Sequence, residues 1–188
     1  QRLMHLTGGC LGTINSESNG QIAQTVNYLF GMDPKNYDCA GGLGSHTSAV
    51  KDADCGIFFG CGSGESRMCG MGEVYEVAKA REAGIPIAFV DYRLGEGSSG
   101  NPDEWFPIYP GTDGALASAM AYVIISEGKH DKGFLDKYAV GFDADTMPES
   151  APENSSYMDY IMGTGYDMVP KTPQWAAPIC GLPAERIE

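Results

Sequence analysis

Basic residues are scarce in this chain. Twelve Lys and Arg stand against 25 Asp and Glu, and the formal charge is −13 over 188 residues. A chain so acidic does not hold DNA or RNA by neutralising phosphates, and it does not adhere to an anionic membrane surface. Long apolar runs are also missing: no stretch of about 18 apolar residues exists, so no segment reads as a membrane span. The chain opens on Gln1-Arg2-Leu3 with neither a basic n-region nor an apolar h-region, so no signal peptide is visible. Histidine is limited to His5, His46 and His130, which are scattered. Cys10, Cys39, Cys55, Cys61, Cys69 and Cys180 form no C-x-x-C and no zinc or iron–sulfur spacing. They are expected to be reduced, buried thiols, and no metal site is expected from the Cys and His of this chain alone. Disorder is excluded in turn, because 43% of the residues are apolar and 10% aromatic.

Glycine is in excess. There are 26, about twice what the average usage of ~7% would supply, crowded into the first two thirds. The pattern around them alternates short apolar runs with helical periodicity. Leu3–Leu6 reads as a strand ending at Thr7-Gly8-Gly9. A helix is expected over Ser18–Phe30, with Ile22, Val26 and Leu29 on one face and Gly31 closing it. Cys55–Phe59 has the continuous apolar character of a strand buried on both faces. A glycine-rich turn, Gly60–Gly64, leads to a helix over about Glu65–Glu82, with Val74, Val77, Ala78 and the stem of Arg81 inward and Gly84 as its stop. Ile85–Val90 is a second buried strand ending on Asp91, and Trp105–Ile108 a shorter third. Thr112 or Asp113 opens the next helix, with Leu116, Met120, Val123 and Ile124 at helical spacing. Beyond it, a helix over Gly133–Tyr138 and another near Trp175–Ile179 flank an irregular segment, residues 139–173. Strand, helix and strand in this order with short turns define an α/β fold: a Rossmann-like, doubly wound, mainly parallel sheet with helices on both faces. Residues 1–188 are expected to form one domain. Both ends read as lying inside elements, as in a piece of a longer protein.

The chemistry concentrates at the turns that follow the strands. In Gly60-Cys61-Gly62-Ser63-Gly64-Glu65, alternating glycines let backbone approach a bulky ligand and aim N–H groups at phosphates. A plain tight turn would use the same glycines, and the third glycine of a dehydrogenase fingerprint would fall on Glu65. Asp91 stands at a strand end, where a dinucleotide fold places the acid that holds a ribose hydroxyl, although an Asp there also caps an ordinary turn. Arg93 beside it is one of the few cations available to a phosphate. Pro110-Gly111-Thr112-Asp113 repeats the arrangement: Thr112 is a natural helix cap, and Asp113 could accept the paired N–H and NH₂ donors that guanine offers and adenine does not. Three glycine-bearing turns with acids at one sheet edge describe a nucleotide crevice without naming the nucleotide. An NAD- or flavin-binding dehydrogenase domain, or a binding module without cofactor, would share the pattern.

Several segments taken in order resemble the molybdopterin oxidoreductases, especially the catalytic subunits of anaerobic dimethyl-sulfoxide reductases. They are Leu6-Thr7-Gly8-Gly9, Glu65-Ser66-Arg67-Met68, Gly72-Glu73-Val74-Tyr75, Lys79-Ala80-Arg81-Glu82, Asp103-Glu104-Trp105, Pro110-Gly111-Thr112-Asp113, Phe134-Leu135-Asp136-Lys137-Tyr138 and Lys171-Thr172-Pro173-Gln174-Trp175-Ala176. The resemblance implies a bis(molybdopterin guanine dinucleotide) molybdenum cofactor and removal of an oxygen atom from an S- or N-oxide in anaerobic respiration. This chain would then be the domain that cradles one guanine dinucleotide and would not be catalytic alone. Gly60, Cys61, Gly62, Ser63 and Glu65 would lie along the pyrophosphate, Asp91 and Arg93 near the guanosine, and Asp113, beside Gly111, on the guanine. Ser18 matches the serine that ligates molybdenum in this branch, with Ser16 as the neighbouring candidate. The resemblance also implies an iron–sulfur cluster elsewhere in the parent but not in this fragment. Its partners would be the remaining domains of the same chain, an iron–sulfur electron-transfer subunit and a membrane anchor, after twin-arginine export to the periplasm. This chain itself would touch neither nucleic acid nor membrane. It departs from the family in having Gly62-Ser63 for the usual Asn-Pro, Tyr92 for a proline, and Tyr109 for a basic residue.

Overall fold

The computed structural model describes residues 6, 8, 47–61, 72–95 and 103–188. The chain divides into two compact units, Gln1–His46 and Thr47–Glu188. The expected strand Leu3–Leu6 and helix Ser18–Phe30 lie outside the described residues, apart from Leu6 itself. All elements below belong to the second unit.

A 3-10 turn, Thr47–Asp52, precedes strand β1 (Gly56–Phe59). Helix α1 (Glu73–Glu82), strand β2 (Ile87–Val90) and strand β3 (Glu104–Phe106) follow. The three strands form one parallel sheet in the order β1-β2-β3, with Phe59 opposite Val90 and Val90 opposite Phe106. Then come helices α2 (Asp113–Ser126), α3 (Lys132–Tyr138), α4 (Tyr157–Met162) and α5 (Pro173–Cys180). A 3-10 turn at Ala184–Arg186 ends the unit. The class is α/β, as expected.

Side chains alternate across a strand, and β2 uses both of its faces. Ile87 and Phe89 pack with Val77 of α1, and Val50, Phe58, Ile85 and Trp105 close around them. Val90, on the other face, packs with Ile108, with Leu116 and Ala119 of α2, and with Ala176 and Cys180 of α5. Burying a side chain such as Ile87 or Phe89 is worth about 1.5–3 kcal/mol each, so β2 is the strand around which both clusters are organised. β1 differs from expectation. Ile57 and Phe59 are exposed, because β1 is the outer strand of the three and its second face meets no described helix.

Helix α1 also corrects the sequence reading. Gly72 has a left-handed φ of 107°, so no single helix runs from Glu65 to Glu82 and the described one starts at Glu73. Its buried face is Val77 and Ala80, whereas Val74 is exposed and Ala78 also faces water. Gly84 does end it. With φ at +87°, it lets its own N–H donate to Arg81 O at 2.8 Å and that of Ile85 to Ala80 O at 3.0 Å, the paired bonds of a left-handed helix stop.

The segment 139–173, expected to be irregular, contains the 3-10 turn Ala144–Thr146 and helix α4. Both are too short for periodicity to reveal but are capped locally: Asp143 and Thr146 bond reciprocally, as do Ser156 and Asp159. Hydrogen bonds from Ser156 and Thr164 hold the Asp159 carboxyl below the usual carboxylate range. Behind α4 lies Lys171, only 1% exposed. Its ammonium donates to Asp167 Oδ2 at 2.5 Å and to Val169 O at 2.6 Å. It also sits 4.3 Å from the ring centre of Tyr160 and 5.3 Å from that of Trp175. A buried cation needs such partners. Here they tie the loop after α4 to the start of α5, and the same ammonium holds the Asp167 carboxyl below its ordinary value. Among the described cysteines, the expectation of burial holds for Cys180 alone: Cys61 is half-buried and Cys55 exposed, all three being reduced.

Candidate functional site

Parallel strands all end at one edge, and here the hydrogen-bond ladder runs one residue past each strand. Gly60 N donates to Val90 O at 2.9 Å, and Asp91 N to Phe106 O at 3.2 Å. Gly60 and Asp91 are therefore held side by side at the carboxyl edge. Gly60 turns away from the sheet with a φ of +54° and Gly111 does so with +78°. Neither would meet any atom within 4 Å through an added Cβ. Backbone conformation, not crowding, explains glycine at both.

A cleft of about 330 Å³ opens at this edge. Its floor is Val90 and Ile108. The end of β2 contributes Asp91, Tyr92 and Arg93, and the turn after β3 contributes Tyr109, Pro110, Gly111 and Asp113. Trp105 Nε1 donates to Asp91 O at 3.1 Å, which fixes the backbone beneath the first of these segments. Arg93 N lies 3.4 Å from Asp91 Oδ1, and the Arg93 guanidinium is 5.8 Å from the centre of the Tyr92 ring. In the second segment, Tyr109 N donates to Cys180 O at 3.0 Å, while Tyr109 O accepts from Thr112 N and Thr112 Oγ1 at 3.2 and 2.6 Å. Thr112 therefore does not cap α2. Its hydroxyl closes the turn instead, and the helix N-terminus has no side-chain cap. Asp113 stands in the first turn of α2, where an acid is favoured by the helix dipole.

Of the residues singled out from sequence, Gly60, Asp91, Arg93, Gly111 and Asp113 line this one cleft. Cys61 follows Gly60 but does not line it. Ser16, Ser18, Gly62, Ser63 and Glu65 lie outside the described residues. The sequence reading did not assign Tyr92 and Tyr109 to the site. Their signal was positional, since each stands one or two residues from a singled-out acid or glycine in a strand-end turn. Among the described residues no three of His, Cys, Asp and Glu converge as metal ligands. The cleft offers carboxylates, a guanidinium, an uncapped helix start and aromatic walls, a donor and acceptor set for an organic ligand of mixed polarity.

Fold and cleft together define an α/β unit with a crevice at the carboxyl edge of a parallel sheet, the edge at which such sheets commonly bind nucleotides. The sequence model of the molybdopterin oxidoreductases matches residues 1–181, and the chain belongs to that family. It is 42% identical over 187 residues to "Probable dimethyl sulfoxide reductase chain YnfF" of Escherichia coli, covering 99% of this chain and 22% of that one. "Dimethyl sulfoxide reductase DmsA" of Haemophilus influenzae is 43% identical over 190 residues, again 99% of this chain and 22% of its own length. The chain thus spans about a fifth of the curated relatives it matches. Acetylene hydratase from Pelobacter acetylenicus shares the fold over 75% of this chain and 18% of its own, with a TM-score of 0.50 at 21% identity. No described helix is long and apolar enough to cross a membrane.

Proposed function

We propose that this chain is the guanine-dinucleotide-binding part of a larger molybdenum oxidoreductase, with a Rossmann-like, doubly wound sheet holding one half of a bis(molybdopterin guanine dinucleotide) cofactor. The observation that carries the reading is the convergence of Asp91, Arg93 and Asp113 on one cleft at the carboxyl edge of the sheet. Its volume of about 330 Å³ is at the low end for small-molecule sites, which suits one nucleotide rather than a whole dinucleotide. The residues fit that ligand. A carboxylate such as Asp113 accepts two hydrogen bonds at once and matches the N–H and NH₂ of guanine. Asp91 suits ribose hydroxyls, and Arg93 suits phosphate.

Gly60, Cys61, Gly62, Ser63 and Glu65 would follow the pyrophosphate. Ser18 would reach the metal, with Ser16 as its neighbour. When bound, the molybdenum supplies two-electron chemistry for removing oxygen from an S- or N-oxide, in keeping with the names of the relatives. This chain's own residues bind and orient the cofactor's distal end and exclude water from it. The whole protein would also carry an iron–sulfur cluster, pair with an electron-transfer subunit and a membrane anchor, and be exported by the twin-arginine route to serve anaerobic respiration.

The break in the expected helix at Gly72 weighs against an NAD- or flavin-binding fingerprint, which runs from glycine loop straight into one long helix. The test is metal and nucleotide analysis of the full-length protein. Molybdenum and acid-released GMP are expected together, and Asp113→Asn should lower GMP retention on dilution by about tenfold or more, since the amide keeps one acceptor oxygen but turns an NH₂ donor toward the second guanine donor. A full-length protein with neither molybdenum nor GMP refutes the reading.

A further inference from the structure

One wall of the cleft, Tyr109, is backed by the residue that ends α5. Tyr109 is 60% exposed and lines the cleft, yet its position is tightly set. Its backbone makes the three hydrogen bonds described, and its ring rests on the bare backbone of Gly181, the residue that ends α5. A Cβ added at Gly181 would lie 2.8, 2.9 and 3.1 Å from Cζ, Cε2 and Cε1 of that ring. Three outer ring atoms at nearly equal distance mean that Gly181 sits beneath the face of the ring, not at its edge. Glycine is required there twice over, by the ring and by a left-handed φ of 83°. The neighbouring aromatic, Tyr92, already has the Arg93 guanidinium over its ring. Tyr109 is thus a flat surface backed on one face, with the cleft on its exposed side.

We propose that Tyr109 is a stacking platform for the purine base of the bound nucleotide, positioned from beneath by Gly181. The proposal rests on the cofactor reading above and adds a residue to it. An aromatic ring already backed on one face loses less freedom on stacking than one free in solvent, and a base on such a ring is sequence-tolerant because every base has a π-face. The platform and Asp113 therefore divide the labour. Tyr109 holds any purine by its face, whereas Asp113 distinguishes guanine by its edge.

The experiment measures GDP, ADP and ribose 5-phosphate binding to cofactor-free full-length protein by equilibrium dialysis. Tyr109→Leu, of similar bulk without a π-face, is expected to weaken GDP and ADP alike by about tenfold and to leave ribose 5-phosphate unchanged. Tyr109→Phe should bind as wild type, since stacking does not use the hydroxyl. Gly181→Ala, which displaces the ring without altering it, should reproduce the loss seen in Tyr109→Leu. By contrast, Asp113→Asn should weaken GDP and spare ADP. Unchanged purine binding in Tyr109→Leu overturns the platform and leaves the cofactor reading standing. So does an equal loss for ribose 5-phosphate, which would make Tyr109 a mere wall, or a loss in Tyr109→Phe. A wild-type protein that binds no guanine nucleotide and holds no molybdenum overturns both.

Discussion

Replacing Gly163 with alanine tests how the chain turns back after α4. Two costs are separable there. Gly163 has φ at +79°, and an L-residue in that region pays about 1–2 kcal/mol, reduced by up to about 1 kcal/mol because alanine also restricts the unfolded chain. The second cost is contact. A Cβ at Gly163 would strike Pro170 N first and come within 2.7 Å of Pro170 Cδ and 2.8 Å of its Cα. These atoms belong to backbone and a closed ring, so no rotamer relieves the overlap. The strand of chain entering α5 must move, and with it the bond from Lys171 N to Ile161 O at 2.9 Å. Overpacking of this kind costs about 1–3 kcal/mol. The internal control is Gly84→Ala, at φ +87° with nothing within 4 Å of the new methyl. Urea denaturation followed by circular dichroism should show Gly84→Ala destabilised by about 1 kcal/mol and Gly163→Ala by about 3 kcal/mol. Equal losses at the two positions would refute the contact argument and leave only the backbone term.

Two further outcomes follow from the charges around α4. Lys171→Met should be milder than Asp167→Ala, because the first leaves a carboxylate that water reaches and the second leaves an ammonium buried to 1% exposure; urea midpoints in the reverse order would refute the reasoning. Asp159 has a folded-state pKa below its unfolded value of about 3.9. Its contribution is therefore present above that value and is lost as pH falls through the depressed folded pKa. Stability measured from pH 6 to pH 2 should fall at the acid end, and Asp159→Asn should flatten part of that fall; an unchanged slope in the variant would refute the assignment.

The carboxyl-edge cleft was half legible beforehand. Asp91, Arg93, Gly111 and Asp113 follow apolar runs at strand-end spacing, and a parallel sheet brings all such ends to one edge. Tyr109 was visible as an unusual residue but not as a wall, because its partner Gly181 lies 72 positions away and nothing local pairs them. Lys171 was legible only as part of a resemblance. No local pattern says that a lysine will be buried, since that depends on Tyr160, Asp167 and Trp175 meeting around it. The helix over Glu65–Glu82 was overread because Gly70 and Gly72 were passed over inside a stretch of mostly helix-tolerant residues, and the left-handed backbone of Gly72 shows the break.

What the amino-acid order determined by itself is what short-range physics controls. The stop of α1 at Gly84 and the apolar run of β2 each follow from φ preference, local hydrogen bonding and side-chain alternation among near neighbours. Tertiary structure decided what requires distant segments to meet. The Arg186 bridge to Glu104 at 2.6 Å closes 82 positions, the buried Lys171 finds two acceptors and two rings, and Gly181 slides beneath Tyr109. Burial and close approach depend on which surfaces the folded chain brings together, and only after the sheet, α2 and α5 have packed do those surfaces exist.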